Sequence, residues 1–280
     1  FPYTTLFRSK QPHGISKMKT LHVEELTSAE FRKAACCNLS ESFETNATID
    51  VSMSDAISGA KKIQMLGLDA VYTQLQFENI PFLRGLESAH GMSVIPGTWL
   101  ESIQITKGTG SVVNGYESMA GLVNFEFKKP QEMPRLGINA YQNRFGRSEL
   151  NLQGGLQLNE RWHMGLFGSG AAIYGNIDDN QDGFRDQALS NTFNLLQRFS
   201  YQGPRMEAQL GVQAYSDNKL GGQTTYTRAQ PIGYGMELES EHLSLFSKTG
   251  FFGKKPAQSL GVIAQLKFQN MSGLYGLRTF

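Results

Sequence analysis

Three stretches in the second half of the chain alternate between apolar and polar residues, and this pattern constrains the fold more than any other feature. They cover residues 149–158, 206–215 and 260–269. Successive side chains of a β-strand point to opposite faces of a sheet, so each stretch predicts a strand with one apolar face and one mostly polar face. Each is about 10 residues long, as a tilted strand must be to cross a bilayer. A soluble β-sandwich would show the same alternation.

The connections between the predicted strands favour a membrane barrel over a sandwich. Tight turns alternate with long links, and the short link 144–146 is the exception. Short turns at one end and long loops at the other are typical of an outer-membrane barrel. The predicted strands lie near 135–143, 148–158, 162–174, 191–202, 205–217, 236–250 and 258–270, with tight turns at 159–161, 202–204 and 253–258 and long links at 176–190 and 216–235.

The composition excludes several classes of protein. Lys and Arg number 26 against 25 Asp and Glu, so a formal charge of +1 supplies no basic field for nucleic acid. An aromatic content of 11% and a charged content of only 18% argue against disorder. There is no apolar run of roughly 18 residues that would form a membrane-spanning helix. The five histidines fall in no hydrolase motif and no phosphate-binding loop is present, so we expect no enzyme.

The first half of the chain predicts a compact α+β domain over residues 21–133, after a polar linker at 10–20. Residues 26–36 suit a short capped helix. The predicted fold class is therefore an α+β domain followed by antiparallel transmembrane β-barrel strands over 134–280, which form a partial barrel. Strand-like pieces of the first domain are 48–53, 61–66, 70–80, 100–108 and 122–129.

Both ends of the chain lead us to expect an incomplete gene. Residues 1–9 match, codon for codon, one reading frame of a short-read sequencing adapter, so we expect them to be an artefact that is foreign to the protein. Before the terminal Phe280, the alternation would place Arg278 on the lipid face, where a charge costs up to about 2–4 kcal/mol. We therefore expect a chain cut at both ends, with its signal peptide lost.

Residues 101–130 resemble the end of the plug domain of TonB-dependent outer-membrane receptors. That family shows an alternating Glu-x-Ile-x-Val strand, a Lys/Arg-Gly turn, a small-residue helix and a strand that ends in Lys. Residues 76–85 resemble an upstream plug turn, with Glu78-Asn79 where the family often has Asp-Gly. The matching residues of the main motif are Glu101, Ile103, Ile105, Lys107, Gly108, Ser111, Val112, Gly115, Ala120, Gly121, Val123 and Asn124.

The resemblance, which is closest to the Bacteroidetes branch, implies a protein of the bacterial outer membrane. It implies a barrel of about 22 strands with a plugged lumen, of which about seven are present here. The implied function is active import of a scarce or large ligand: a siderophore, another metal chelate, haem, cobalamin or an oligomer. The implied partners are this ligand, outer-membrane lipid and TonB, which would pull on the plug through a TonB box expected upstream of Lys10.

A non-transporting surface-binding or adhesin barrel is the alternative function. A TonB box in the complete gene would favour import, and its absence would favour the adhesin. Five residues of the predicted plug are candidates for ligand contact, because His and Met suit copper or haem iron, although the same segment also fits an ordinary loop. These residues are Arg84, Glu87, His90, Met92 and Trp99.

Two further groups are candidate metal sites. Cys36 and Cys37 are adjacent, which disfavours a disulfide between them, and they fit a buried structural pair, a strained disulfide or a soft-metal site. The segment 178–186 resembles a Ca²⁺ loop, but Leu189 stands where an EF-hand requires Glu, so a solvated, turn-rich loop is the alternative. Its candidate ligands are Asp178, Asn180, Asp182 and Asp186.

Overall fold

The computed structural model describes residues 13–15, 23–27, 43, 48–55, 57–84, 91–110, 118–254, 258–276 and 278–279. These residues are mostly β-strand, and short 3-10 turns are their only helical elements. The strands form a six-stranded sheet, an eight-stranded sheet and a two-stranded hairpin. Among the described residues, no helix is long and apolar enough to cross a membrane.

The six-stranded sheet has the order β1-β2-β7-β8-β5-β6. Its neighbouring strands are antiparallel except β5 and β8, which run parallel. The separate hairpin joins β3 to β4. These strands are β1 (His13–Ile15), β2 (Val23–Thr27), β3 (Ile49–Asp55), β4 (Ala60–Met65), β5 (Thr73–Phe77), β6 (Ile80–Pro81), β7 (Leu100–Lys107) and β8 (Gly121–Phe127), with 3-10 turns at Ala70–Tyr72, Gly91–Ser93, Gly97–Trp99 and Pro130–Glu132.

The eight-stranded sheet is an antiparallel meander in which every strand pairs with its neighbour in sequence. Its long strands match the seven strands predicted from the alternating pattern, so that prediction is confirmed. The strands are β9 (Gly137–Gln142), β10 (Arg147–Gln157), β11 (Trp162–Ile173), β12 (Leu189–Gln202), β13 (Met206–Gly222), β14 (Gly235–Phe252), β15 (Ser259–Tyr275) and β16 (Arg278–Thr279).

The loop predicted at 216–235 is shorter in the structure, because β13 and β14 remain paired as far as Gly222 and Gly235. Polar residues beyond Tyr215 end the apolar alternation, yet their backbones continue the ladder, so the sequence pattern stops before the strand does. The predicted helix at 26–36 lies outside the described residues except for Leu26 and Thr27, which end β2.

The burial of the two faces of the eight-stranded sheet is the reverse of that in a water-soluble protein. Its apolar positions face outward, and Leu152, Leu210 and Val262 are 41%, 36% and 48% exposed. The alternate positions face inward and are mostly polar, among them the buried Asn194 and Gln213, although Phe167, Leu196 and Phe246 are buried there too. The prediction that the apolar faces of the three alternating stretches point outward on one curved sheet is confirmed for their large side chains, whereas Ala208 is buried.

The hydrophobic core lies within the six-stranded sheet and between it and the inward face of the eight-stranded sheet. Phe77 packs edge-on against Phe246 of β14, with ring centroids 5.3 Å apart. Trp99 packs against Phe167 of β11 at 5.4 Å. The two sheets therefore share one core at this boundary, and polar contacts surround it.

Candidate functional site

The turn between β5 and β6 places a carboxylate at the boundary between the two large sheets. Its central residues, Glu78 and Asn79, have φ angles of 52° and 62°, in the left-handed region that strains side chains other than Gly. Asn124 of β8 stabilises the turn, because its Oδ1 accepts a hydrogen bond from the Asn79 N–H at 2.7 Å. Asn124 also donates to Glu126 Oε1 at 2.8 Å. Asn124, a residue of the predicted motif, thus holds both the turn that carries Glu78 and the buried carboxyl group of Glu126.

Charged side chains from both sheets meet around Glu78. Arg198 Nη1 lies 3.0 Å from Glu78 Oε1, and both residues are 1% exposed. Lys129 Nζ contacts the other Glu78 oxygen and lies 2.6 Å from Glu126 Oε2. Lys248 Nζ donates to the Glu78 backbone carbonyl at 3.2 Å. We call these residues the ion cluster: Glu78, Glu126, Lys129, Arg198 and Lys248.

The two carboxyl groups of the ion cluster have opposite pKa shifts. Burial alone would raise the pKa of Glu78, but the positive charges of Lys129 and Arg198 hold that pKa well below its usual range. Burial raises the pKa of Glu126, and the negative charge of Glu78 raises it further. Burial would lower the pKa of Lys129, but the two carboxylates raise it. When the pH falls, Glu126 therefore takes up a proton before Glu78 does.

The ion cluster joins two parts of the chain that are far apart in sequence, since Glu78 and Arg198 are separated by 120 positions. A complete buried ion pair contributes little net stability, but removal of one partner costs about 3–5 kcal/mol because an unpaired charge remains buried. The cluster therefore fixes how the two sheets fit together, and neutralising one charge weakens their contact.

Polar contacts extend the interface on both sides of the ion cluster. On one side, Asn194 Nδ2 donates to the Val94 carbonyl at 3.2 Å, and Lys219 Nζ donates to Ser93 Oγ at 3.3 Å. On the other, Ser200 Oγ donates to Gln131 Oε1 at 3.0 Å. Hydrogen-bonded groups of this kind can exchange their partners for water when two surfaces separate. Apolar groups have no such replacement, and their exposure to water costs free energy.

The three predicted ligand-contact residues that the structure describes do not share one surface. Met92 and Trp99 are 1% and 0% exposed and pack in the core, so neither presents surface to a ligand in this arrangement. Arg84 is exposed. Glu87 and His90 lie outside the described residues. Ligand contact by these five residues stays a prediction.

The predicted motif residues that the structure describes have identifiable roles in backbone geometry. A Cβ on Gly121 would lie 2.6 Å from the Thr106 carbonyl oxygen and would overlap Met65, so only Gly fits there. Gly108 adopts a φ of +85°. Lys107 is exposed and Glu101 half-buried, and Gly115 lies outside the described residues.

The acidic segment 178–186 folds as a set of side-chain-to-backbone turns. Asp178 accepts hydrogen bonds from the N–H groups of Asp182 and Gly183 at 3.1 and 2.9 Å. Asn180 Nδ2 donates to Asp182, and Asp186 accepts from the N–H of Asp179. In the described part of the chain, no group of three or more His, Cys, Asp and Glu side chains is placed to hold a metal ion. Calcium binding here stays a prediction, and Cys36 and Cys37 lie outside the described residues.

Sequence reasoning missed a buried arginine that connects the two long loops. Arg185 is 7% exposed and donates to the carbonyls of Gln223 and Tyr226 at 2.6 and 2.7 Å. It also missed the ion cluster, whose only local signals were the Lys128-Lys129 pair and a cation on the polar face of β12. Neither signal identifies a partner 120 positions away.

No protein-family model matches this sequence, and no curated protein does. Its fold, however, matches solved structures of receptors. The alcaligin outer-membrane receptor FauA from Bordetella pertussis has a TM-score of 0.71 at 12% identity, over 92% of this chain and 40% of that one. Pseudomonas aeruginosa FpvA, in a complex with a heterologous pyoverdine and iron, has a TM-score of 0.65 at 10% identity, over 95% and 45%. The siderophore receptor PirA from Acinetobacter baumannii has a TM-score of 0.56 at 15% identity, over 90% and 44%.

The chain has the fold of outer-membrane siderophore receptors. At 10–15% identity the likeness concerns the fold alone. This chain spans less than half of the length of those receptors, with 40–45% of each covered.

Proposed function

We propose that this chain is the plug domain and the first barrel strands of a TonB-dependent importer of the bacterial outer membrane. In this proposal the residues before Pro134 form the plug, and the eight-stranded sheet is part of the barrel wall. The observation that carries the proposal is the reversed burial of that sheet: its apolar face is exposed, whereas polar side chains on the opposite face of β12, β13 and β14, among them Asn194, Gln213 and Ser244, are buried. The receptor fold supports the same assignment.

The dimensions of the exposed apolar band support its placement in a bilayer. Between the rows of Met206 and Ser216, β13 rises about 33 Å at ~3.3 Å per residue. At the ~40° tilt of barrel strands this corresponds to about 25 Å of height, the usual height of the lipid-facing band. Trp162 and Tyr201 pack together at 5.1 Å near one edge of the band, where aromatic girdles are typical.

The polar interface supports gating by movement of the plug. A pull on the six-stranded sheet has to separate Glu78 from Arg198 and Val94 from Asn194, which are joined by an ion pair and a hydrogen bond. Both groups can be solvated once they separate, so the interface can open in steps. The chain's own residues thus keep the route of the ligand through the barrel closed, and no covalent chemistry takes place.

We further propose a ferric siderophore as the ligand class, with TonB as the source of the pull. The ligand class follows from the names of the fold relatives, which include receptors for alcaligin and pyoverdine. Because the chain spans less than half of those receptors, transport is a property proposed for the whole protein.

A crosslink across the interface tests this function. In a variant with Cys36 and Cys37 changed to Ser, Val94→Cys and Asn194→Cys are joined by a short thiol-reactive crosslinker within the complete gene product. Uptake of radioactive iron from ferric alcaligin or ferric pyoverdine is then measured in cells. Import by plug movement predicts that the crosslink abolishes uptake. A control crosslink between Leu196→Cys and Gln213→Cys, both in the eight-stranded sheet, leaves uptake intact. Equal uptake by both crosslinked proteins would contradict gating, and no TonB-dependent uptake of any probe would contradict import.

A further inference from the structure

The two longest connections of the eight-stranded sheet pair with each other. The first joins β11 to β12 and the second joins β13 to β14, and we call them the first and the second long loop: residues 174–188 and residues 223–234. The Arg185 N–H donates to the Gly222 carbonyl at 2.9 Å. The Thr224 N–H donates to the Gly183 carbonyl, also at 2.9 Å. The two loops therefore form a short antiparallel ladder of their own beyond the ends of the strands.

The Arg185 side chain reaches from the first long loop into the second. Its Nη1 donates to the Gln223 carbonyl at 2.6 Å, and its Nη2 donates to the carbonyls of Thr224 and Tyr226 at 3.2 and 2.7 Å. Among the described residues no carboxylate pairs with Arg185, although it is only 7% exposed. A planar guanidinium with five N–H donors is suited to bonding several carbonyls at once. One buried charge therefore holds three backbone carbonyls of the opposite loop.

Each long loop is also braced internally, so the ladder joins two ordered segments. In the first loop, Asp178 accepts from the Gly183 N–H at 2.9 Å, and Gly183 has a φ of +86° that favours Gly. In the second loop, the Gln223 N–H donates to the Tyr234 carbonyl at 2.9 Å, and Gln223 Oε1 accepts from the Tyr234 N–H at 2.8 Å. The rings of Phe184 and Tyr234 meet across the two loops, with centroids 6.5 Å apart. Because each loop keeps its own shape, the contacts between the loops have to break together.

We infer that Arg185 is a latch that makes the two long loops one rigid body, which opens and closes as a whole. Neither loop can move away without losing the two ladder bonds and the three guanidinium bonds in one step. In the proposed function both loops lie at the outer end of the barrel wall, so an arriving ligand meets them as one preformed surface. That last step rests on the proposed function, whereas the latch itself does not.

Hydrogen exchange of the full chain in detergent micelles tests the latch. Mass spectrometry with electron-transfer fragmentation follows the amides of residue 185 and Thr224, which donate the two ladder bonds. In the wild type, both amides should exchange at the same rate once corrected for sequence, because one opening event exposes both. Arg185→Met should speed both by about 10- to 100-fold, as suits the loss of hydrogen bonds from a buried charged group. Arg185→Lys should speed both by less, since the charge and part of the bonding remain.

Arg228→Met is the matched control. Arg228 also belongs to the second long loop, but it is exposed and pairs with Glu237 and Glu239 at the start of β14. Its loss should leave the amides of residue 185 and Thr224 at their wild-type rates. The amide of Leu210 in β13 reports in every variant whether the eight-stranded sheet itself stays folded.

Several results would overturn the latch. Wild-type rates that differ by more than about tenfold between the two amides would show that the loops open separately. Arg185→Met that speeds only one amide, or neither, would overturn it as well, and so would an equal acceleration by Arg228→Met. If Arg185→Met also speeds the Leu210 amide, the sheet has unfolded, and the wild-type rates with those of Arg185→Lys decide. Because no ligand is used, a failed iron-uptake assay leaves the latch intact, and a failed latch leaves the crosslink test of import unchanged.

Discussion

The two large sheets of this chain differ in where their apolar side chains lie. The six-stranded sheet has the burial of a water-soluble domain, with Phe125 and Phe127 1% exposed. The eight-stranded sheet exposes Leu243 and Leu245 at 42% and 41% and buries Asn194 at 0%. Both faces of β8 are thus covered by protein, whereas one face of the eight-stranded sheet is apolar and exposed.

The ion cluster lies where these two patterns meet. The inward face of the eight-stranded sheet carries many polar side chains, so its partner surface must supply polar groups, and Glu78 and Lys129 do so. Four predictions can break or sharpen the comparison between the sheets, from the largest expected effect to the smallest.

Phe127→Ala in the six-stranded sheet should lower the free energy of unfolding by about 3–5 kcal/mol, because it leaves a cavity in a closed core. Phe251→Ala, on the outward face where Phe251 is 43% exposed, should cost less than about 1 kcal/mol. Urea unfolding in detergent micelles measures both values. Equal losses would mean that the outward face is packed like a core.

Glu78→Gln should cost about 3 kcal/mol, since Arg198 then stays buried without its carboxylate while Lys129 keeps Glu126. The double variant Glu78→Gln with Arg198→Met should recover part of this loss, because neither charge remains. The same unfolding assay measures both. The Arg198→Met single variant is measured as well. A double variant whose loss of stability equals the sum of the Glu78→Gln and Arg198→Met losses would contradict a direct pair.

Leu245→Arg should cost about 2–4 kcal/mol in lipid bilayers, because Leu245 lies near the middle of the apolar band. Asn191→Arg, on the same face beyond Phe193, should cost less than about 1 kcal/mol. Unfolding from lipid vesicles measures the difference. Equal costs at the two positions would contradict a lipid-facing band.

Glu126→Gln should lower the free energy of unfolding by less than Glu78→Gln does, because Gln keeps an oxygen that can accept from Asn124 and Lys129 retains Glu78. The pH dependence separates the two carboxyl groups. The lowered pKa of Glu78 adds stability that is present above the unfolded pKa of about 4.3 and is lost as the pH falls below it. The raised pKa of Glu126 has the opposite sign and adds stability as the pH falls through its folded value.

Unfolding between about pH 3 and pH 8 checks both contributions. Glu78→Gln should flatten the loss of stability at the acid end of this range. Glu126→Gln should remove the gain in stability that the wild type shows as the pH falls through the raised pKa of Glu126. A Glu126→Gln variant that flattens the acid end would show that the two pKa shifts have been exchanged.

The sequence predicts the eight-stranded sheet well because its information is local. Alternation along β10, β13 and β15 located each strand, and the outward direction of Leu210 and Val262 followed from the membrane interpretation. The extension of β13 to Gly222 was missed, since polar residues on both faces carry no period.

The interface could not be predicted, because its partners are far apart in sequence. Nothing near Glu78 indicates that Arg198 will meet it 120 positions later. Met92 and Trp99 were chosen as ligand contacts from residue chemistry, yet they are buried. In an irregular segment such as 91–99, no periodicity distinguishes a core side chain from an exposed one.

Site-directed spin labelling along β13 in lipid vesicles tests the central claim most directly, which is that the apolar face meets lipid and the polar face meets the six-stranded sheet. Single cysteines replace residues 209–214 in turn, in a background with Cys36 and Cys37 changed to Ser. We predict that oxygen accessibility alternates with a period of two and is highest at Leu210, Val212 and Ala214. Accessibility that is highest at Gln209, Gly211 and Gln213, or that shows no alternation, would contradict the account.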